Sequence, residues 1–247
     1  MNSGISVVVQ GQIVPETLEL LTNIKTSEVF DEVIISCWDD CKIEANVNLV
    51  RSKKPLNHGI GNRNLQITSS LAGLLQTSGK VCVKLRADQI ISVESLKLMS
   101  EFYDESGDNV CVAGIFQPYP FHPRDHIFWG PRHKLIEIFN IPLASCQHIS
   151  NPDYNKNTRA ETYIGAHYAS KFDQRISEFL DNPELFLADG GHKRNEAMLI
   201  SDVLTPQIFK PFPRIKFSWP KHFLREYHYH VTQQMGEYWN EEEKWKR

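Results

Sequence analysis

The sequence predicts an α/β fold, a mostly parallel sheet with helices on both faces. Short β-branched runs alternate with amphipathic stretches along the first half, and Gly and Ser-Gly turns separate them. Strands joined through helices need crossover connections, and crossovers favour parallel pairing. The composition agrees. At 247 residues, 41% hydrophobic and 23% charged, the chain suits one large domain, or a domain with an appended arm, and excludes wholesale disorder and fibrous repeats.

The elements follow in order. ISVVVQ (5–10), ending at Gly11, reads as a buried strand. Residues 15–25 place Leu18, Leu21 and Ile24 on one helical face, and EVIISC (32–37) is a second strand. A shorter strand over 46–51 leads into a polar loop, SKKPLNHGIG, ending at Gly61. Residues 62–76 carry Leu65, Ser69, Ala72 and Leu75 at helical spacing and stop at Ser78-Gly79. KVCVKL (80–85) is the next strand, 93–103 a helix, and VCVAGIF (110–116) a further strand. Beyond Pro118 prolines punctuate an aromatic stretch, and helical patterns return from Thr158 to Phe179. We expect a catalytic unit over 1–209, its halves meeting near 116, and an aromatic-rich C-terminal arm over 210–247.

Charge and cysteine usage narrow the function. The 27 basic and 30 acidic residues leave a net charge of −3, which argues against a dedicated nucleic-acid binder. The sequence shows no membrane-spanning run and no secretory signal at its start, and its five cysteines are an odd number. The expectation is a cytoplasmic protein with reduced thiols. Cys37 and Cys41 have no matching pair downstream, so zinc is not expected.

Sheets of this kind bind ligands beyond the C-terminal ends of their strands. NRNLQITSSLAGLLQTSGKVCVKLRADQII (62–91) runs from a helix bearing Arg63 and Gln66 to a strand end at Asp88. A carboxylate there can hold a divalent cation that bridges a nucleotide diphosphate, and Arg63 can meet a phosphate. Taken singly, Asp88 is equally a helix cap and Arg63 a solvated side chain. Gln10-Gly11 follows the first strand; the glycine allows close backbone approach and the amide offers donor and acceptor. Trp38-Asp39 follows the second, where Trp38 can stack on a base and Asp39 can accept a hydrogen bond, although such residues also make ordinary turns.

The order of these elements resembles the GT-A fold of nucleotide-sugar glycosyltransferases. The blocks ISVVVQGQI, EVIISCWDD, NRNLQITSSLAGL, KLRAD and HIFWG together resemble the WavE family, associated with lipopolysaccharide synthesis, over roughly residues 5–180. The resemblance implies a glycosyltransferase that uses a nucleoside-diphosphate-sugar donor, a glycan or lipid-linked acceptor, and Mn²⁺ or Mg²⁺ held at Asp88. One departure stands out: Arg86-Ala87-Asp88 replaces the family's Asp-x-Asp.

The acceptor side is read from the HPRDH and IFWG blocks, where His126, Trp129 and Gly130 line a pocket wall or belong to a proline-rich surface loop. Glu161, about thirty residues beyond FWG, stands where the resemblance implies an inverting enzyme's base. Thr158 to Glu161 also fits a capping box. Asp189, in LADGGH, is the reserve base, and His192, His222, His228 and His230 read as a polar segment more than as metal ligands. Alternating basic and aromatic residues over 210–225 suit peripheral contact with an anionic membrane face, or simple docking.

Two rivals remain. A nucleotidyltransferase should carry a Gly-rich basic loop after the first strand, whereas VVVQGQIVPE has one glycine and no basic residue. A non-catalytic carbohydrate-binding protein would explain the missing aspartate.

Overall fold

The β-branched runs form the centre of the molecule because both of their faces are buried. A computed structural model describes residues 4–43, 47–116, 119–144, 159–181, 192–212 and 217–218. β1 (Ile5–Gln10) is buried along its whole length. Around it lie β2 (Glu32–Trp38), β3 (Asn48–Ser52) and β4 (Val81–Arg86), all parallel. The sheet continues through β6 (Val110–Val112), β7 (Ile127–Pro131) and β8 (Phe209–Pro211) in the order β3-β2-β1-β4-β7-β6-β8. Among the described strands of this sheet only β7 opposes the rest: it pairs antiparallel with both β4 and β6, while β8 runs parallel to β6. β5 (Ile90–Ile91) lies apart and pairs with β9 (Phe217–Ser218), bringing this late segment beside the chain that leaves β4.

Period-two alternation along the strands divides the core between two faces. Val7, Val9, Val83 and Leu85 meet α1 (Glu16–Ser27) and α3 (Val93–Ser106) through Leu20, Ile24, Leu96 and Met99. Val8, Ile34 and Cys82 meet α2 (Arg63–Gln76), α4 (Arg132–Phe139) and α5 (Ala160–Ala169) through Ile67, Leu74, Leu135 and Ile164. α6 (Arg175–Asp181) and α7 (His192–Ile208) pack behind α5 around Phe121, Ile176 and Phe179. This is the expected α/β architecture. Among the described residues no helix is long and apolar enough to cross a membrane. Cys37, Cys82 and Cys111 are buried free thiols, and Cys41 is a partly buried one.

Two expectations change. The strand expected over 110–116 stops at Val112, beyond which Ile115 makes only an isolated bridge to Pro123. β7 and α4 fill a region that the sequence reading left to aromatics and prolines.

Candidate active site

The reversal of β7 builds the site. Leu85 pairs with Ile127, so the residues entering β7 lie at the C-terminal end of β4. There Arg86 turns over Asp88: its Nε and Nη2 donate to Asp88 Oδ1 and Oδ2 at 3.0 and 2.7 Å. Its Nη1 donates to Asp125 Oδ2 at 3.0 Å, so one guanidinium holds two carboxylates. Charge-assisted pairs of this geometry are among the stronger hydrogen bonds in proteins. Two residues earlier on the same strand face, Lys84 is fully buried. Its ammonium donates to the Asp125 carbonyl at 2.6 Å and lies 5.7 and 5.8 Å from the ring centroids of Phe128 and Phe139.

Electrostatics follow from this burial. Burial lowers the pKa of Lys84 to about 8, with the Asp125 carboxylate opposing the change. For Asp125 burial works toward neutrality, but Arg86 and Lys84 outweigh it and hold the carboxyl well below its usual range. His122 and His126 are both pushed down to about 3, principally by burial, so both rings are neutral at physiological pH. His122 Nδ1 and Thr162 Oγ1 share a hydrogen bond at 2.9 Å, which ties this loop to α5.

Glu161 joins the same cluster from the first turn of α5. Burial, then the Asp125 charge, push its carboxyl up to about 7, while Arg86 and Arg159 pull the other way. The register of α5 differs from the one that a capping box from Thr158 to Glu161 needs. Arg159 is the N-cap, without a side-chain cap bond, which puts Glu161 at the second helical position instead of the third. Thr158 lies outside the described residues, as do Asp189, His222, His228, His230 and the side chain of His192. One turn into α5, Gly165 lets the helix press on the loop: a Cβ there would collide with the Phe121 carbonyl and stand 2.6 Å from Pro123 Cδ.

The donor-side residues are only partly brought together. Gln10 Oε1 accepts from Ser69 Oγ at 2.6 Å and its carbonyl accepts from the Ala87 amide at 2.9 Å, which secures the turn after β4. Gly11 takes φ +117°, a conformation that favours glycine, beside that turn. Asp39 is exposed at the end of β2, but Trp38 is 4% exposed and offers no open face for stacking. Arg63 is wholly buried, its guanidinium 5.0 Å from the Tyr163 ring centroid, so it joins α2 to α5 instead of standing in an open mouth. Gln66 is buried beside it on α2.

Two acceptor expectations are corrected. Trp129 is fully buried on the α1/α3 face, 5.7, 5.9 and 6.1 Å from the rings of Phe30, Tyr103 and Phe212. Strand alternation turns it away from the cluster. Gly130 is also internal, and a Cβ there would lie 3.2 Å from Val110 Cγ2. His126 does lie at the cluster, with Nδ1 3.5 Å from Asp125 Oδ1. Sequence reasoning missed Lys84 and Asp125 as site residues; a lysine inside an apolar strand and the charge density of HPRDH were the available signals.

Solved structures give remote likenesses. Residues 1–349 of Staphylococcus aureus TarS share 15% identity across 82% of this chain and 72% of that one, with a TM-score of 0.44. Glucosyl-3-phosphoglycerate synthase of Mycobacterium tuberculosis, in complex with Mn²⁺, UDP and phosphoglyceric acid, shares 16% across 69% and 64%, TM-score 0.42. The 4-diphosphocytidyl-2C-methyl-D-erythritol synthase of Anaerococcus prevotii shares 11% across 59% and 81%, TM-score 0.38. No family profile and no curated protein matches the sequence.

The cation expected at Asp88 does not fit the residues around it. Both Asp88 oxygens accept from Arg86, and Asp125 accepts from the same guanidinium. An ion placed there would have to displace these bonds and sit against a positive charge. Among the described residues no trio of His, Cys, Asp or Glu is arranged to hold one.

Proposed function

We propose that the protein is a glycosyltransferase that moves a sugar from a nucleoside-diphosphate-sugar to a glycan acceptor. The observation that carries this reading is the Arg86–Asp88–Asp125 cluster at the C-terminal ends of the parallel strands, with Glu161 electrostatically linked to it from α5. Side chains from β4, the β7 entry loop and α5 converge there, at the edge where such sheets take their ligands. A carboxyl held near 7 is matched to general-base work at neutral pH.

In the proposed reaction an acceptor hydroxyl oxygen bonds to the anomeric carbon while Glu161 takes its proton. The bond from that carbon to the diphosphate oxygen breaks, and its electron pair leaves with the diphosphate. Negative charge therefore grows on the phosphates, where Arg86 and the cationic residues around it lower the barrier. Attack opposite the leaving group inverts the anomeric centre. The likeness to the WavE blocks supports a surface polysaccharide or lipopolysaccharide acceptor.

The pairing of Arg86 with Asp88 also favours a second reading, a carbohydrate-binding protein without transferase chemistry. A thermal-shift panel of nucleoside diphosphates and nucleotide-sugars, followed by release of the nucleoside diphosphate with candidate acceptors, separates the two. Stabilisation by nucleotide-sugars with acceptor-dependent turnover supports the transferase. Stabilisation by free glycans alone supports the second reading.

A further inference from the structure

We propose that the hairpin between β6 and β7 carries a glycan-binding subsite, where Phe116 and Tyr119 meet a sugar ring of the acceptor. The inference rests on the transferase reading and deepens it by giving the acceptor a place. β6 is antiparallel to β7, and β7 to β4, so β6 ends at the same sheet edge as β4. Beyond that end the chain doubles back. The Phe116 amide donates to the His122 carbonyl at 2.9 Å, and the Arg124 amide to the Gly114 carbonyl at 2.8 Å. In the strand order β3-β2-β1-β4-β7-β6-β8 this hairpin lies to one side of β4. Gln10 and Asp39, at the ends of β1 and β2, lie to the other.

Phe121 anchors the hairpin, which leaves Phe116 and Tyr119 free of that task. Phe121 is fully buried with Ala166, Ile176 and Ala197, and its amide donates to Ser201 Oγ at 2.6 Å. Phe116 and Tyr119 pack into none of the apolar clusters formed by the described residues. They stack on each other with ring centroids 5.4 Å apart, and both stay partly exposed. The pair is fastened to α5 on either side of Glu161. The Arg159 guanidinium lies 5.0 Å from the Tyr119 ring centroid. His122, whose ring is 5.4 and 5.6 Å from those of Phe116 and Tyr119, shares its hydrogen bond with Thr162. Glu161 and Arg159 are partly exposed as well, so solvent reaches both the proposed base and the aromatic pair. Accessible aromatic rings suit the apolar C–H surface of a pyranose, and polar side chains at their margin suit its hydroxyls. A nucleobase would also fit such rings, but the donor-side residues lie across β4.

The test uses the full chain. Saturation-transfer NMR with cellobiose, lactose, chitobiose and mannobiose reads glycan binding, and calorimetric titration with UDP, CDP and GDP reads nucleotide binding. The expected result is saturation of at least one disaccharide, concentrated on the C–H protons of a single ring face. Tyr119→Leu and Phe116→Leu keep apolar bulk but lose the flat ring, and each should weaken that glycan about threefold to tenfold. Tyr119→Phe restores the ring and should bind the glycan within about twofold of wild type. Nucleoside diphosphates should bind the leucine variants within about twofold of wild type, and melting curves check that both variants fold. Glycan affinity unmoved by either leucine variant, or nucleotide affinity that falls with it, overturns the inference and leaves the transferase reading standing. Nucleotide binding with no glycan binding does the same. Glycan binding that needs the rings, with no nucleotide bound, supports the subsite and overturns the transferase reading. Binding of neither overturns both.

Discussion

Replacing Glu161 by glutamine should cost activity and raise stability at alkaline pH, and the two effects have the same origin. The carboxyl is raised from 4.5 to about 7 in the folded protein, chiefly by burial and then by the neighbouring Asp125 charge. The folded state therefore holds this proton more tightly than the unfolded chain does. The resulting stabilisation is complete below about pH 4.5, is lost as pH rises, and is gone above about 7. A shift of this size corresponds to at most about 3 kcal/mol between the two extremes. Glutamine has nearly the same shape and cannot ionise. Relative to wild type, Glu161→Gln should be near neutral around pH 5 and up to about 3 kcal/mol more stable around pH 8.5. Urea denaturation at both pH values measures this. If Glu161 is the base, transfer should fall by roughly 10²- to 10⁴-fold while nucleotide affinity persists, and wild-type transfer should rise with pH through about 7. A variant that transfers at the wild-type rate and gains nothing at alkaline pH would refute both the raised pKa of the carboxyl and its role.

Other perturbations separate packing from chemistry. Trp129→Ala should cost about 3–5 kcal/mol by opening the core, whereas Trp129→Phe should leave nucleotide affinity intact; denaturation and titration of the pair check this. Gly165→Ala should cost about 1–3 kcal/mol and displace the loop bearing His122 and Asp125, which would show as weakened nucleotide binding in a folded variant. Lys84→Met should destabilise by about 3 kcal/mol or more, because it leaves the Asp125 carbonyl without its donor and buried Asp125 without one of its cations. Unchanged urea midpoints would show that these contacts do not contribute.

The parts of the fold legible in the sequence were those with strong periodicity. β1 matches its expected bounds because every residue from Ile5 to Gln10 is buried, so a short β-branched run broken only by Ser6 reads as a central strand. α2 begins one residue later than expected, at Arg63. β7 was obscured because IFWGP ends in proline and is mostly aromatic, and burial on both faces removes the alternation that marks a half-exposed strand. α4 has a usable signal in Leu135, Ile138 and Phe139, but it follows Pro131 directly and is only 8 residues long. For the site, sequence position pointed to the residues after β4, and the structure brings Arg86 and Asp88 together there. Sequence position could not show that Arg86 holds Asp88, since the same tripeptide could have turned its side chains apart.

Asp125 shows why such a site escapes linear reading. Lys84 and Arg86 are two residues apart on β4, so their side chains leave the same sheet face, toward α2, α4 and α5. Asp125 meets both from the entry of the neighbouring strand, at the level where β4 ends, its carbonyl on Lys84 and its carboxylate on Arg86. β7 supplies it because it runs backwards, so that its first residue, Ile127, pairs with Leu85. Were β7 parallel, its entry would lie at the far edge of the sheet. A strand of 5 residues spans roughly 17 Å, and Asp125 would then stand about that far from the guanidinium it now touches. The lone reversed strand converts a surface loop into the buried counter-charge of Arg86. In the proposed enzyme this counter-charge holds the guanidinium at the end of β4 and adds to burial in raising the pKa of Glu161, so one topological choice serves both the phosphates and the base.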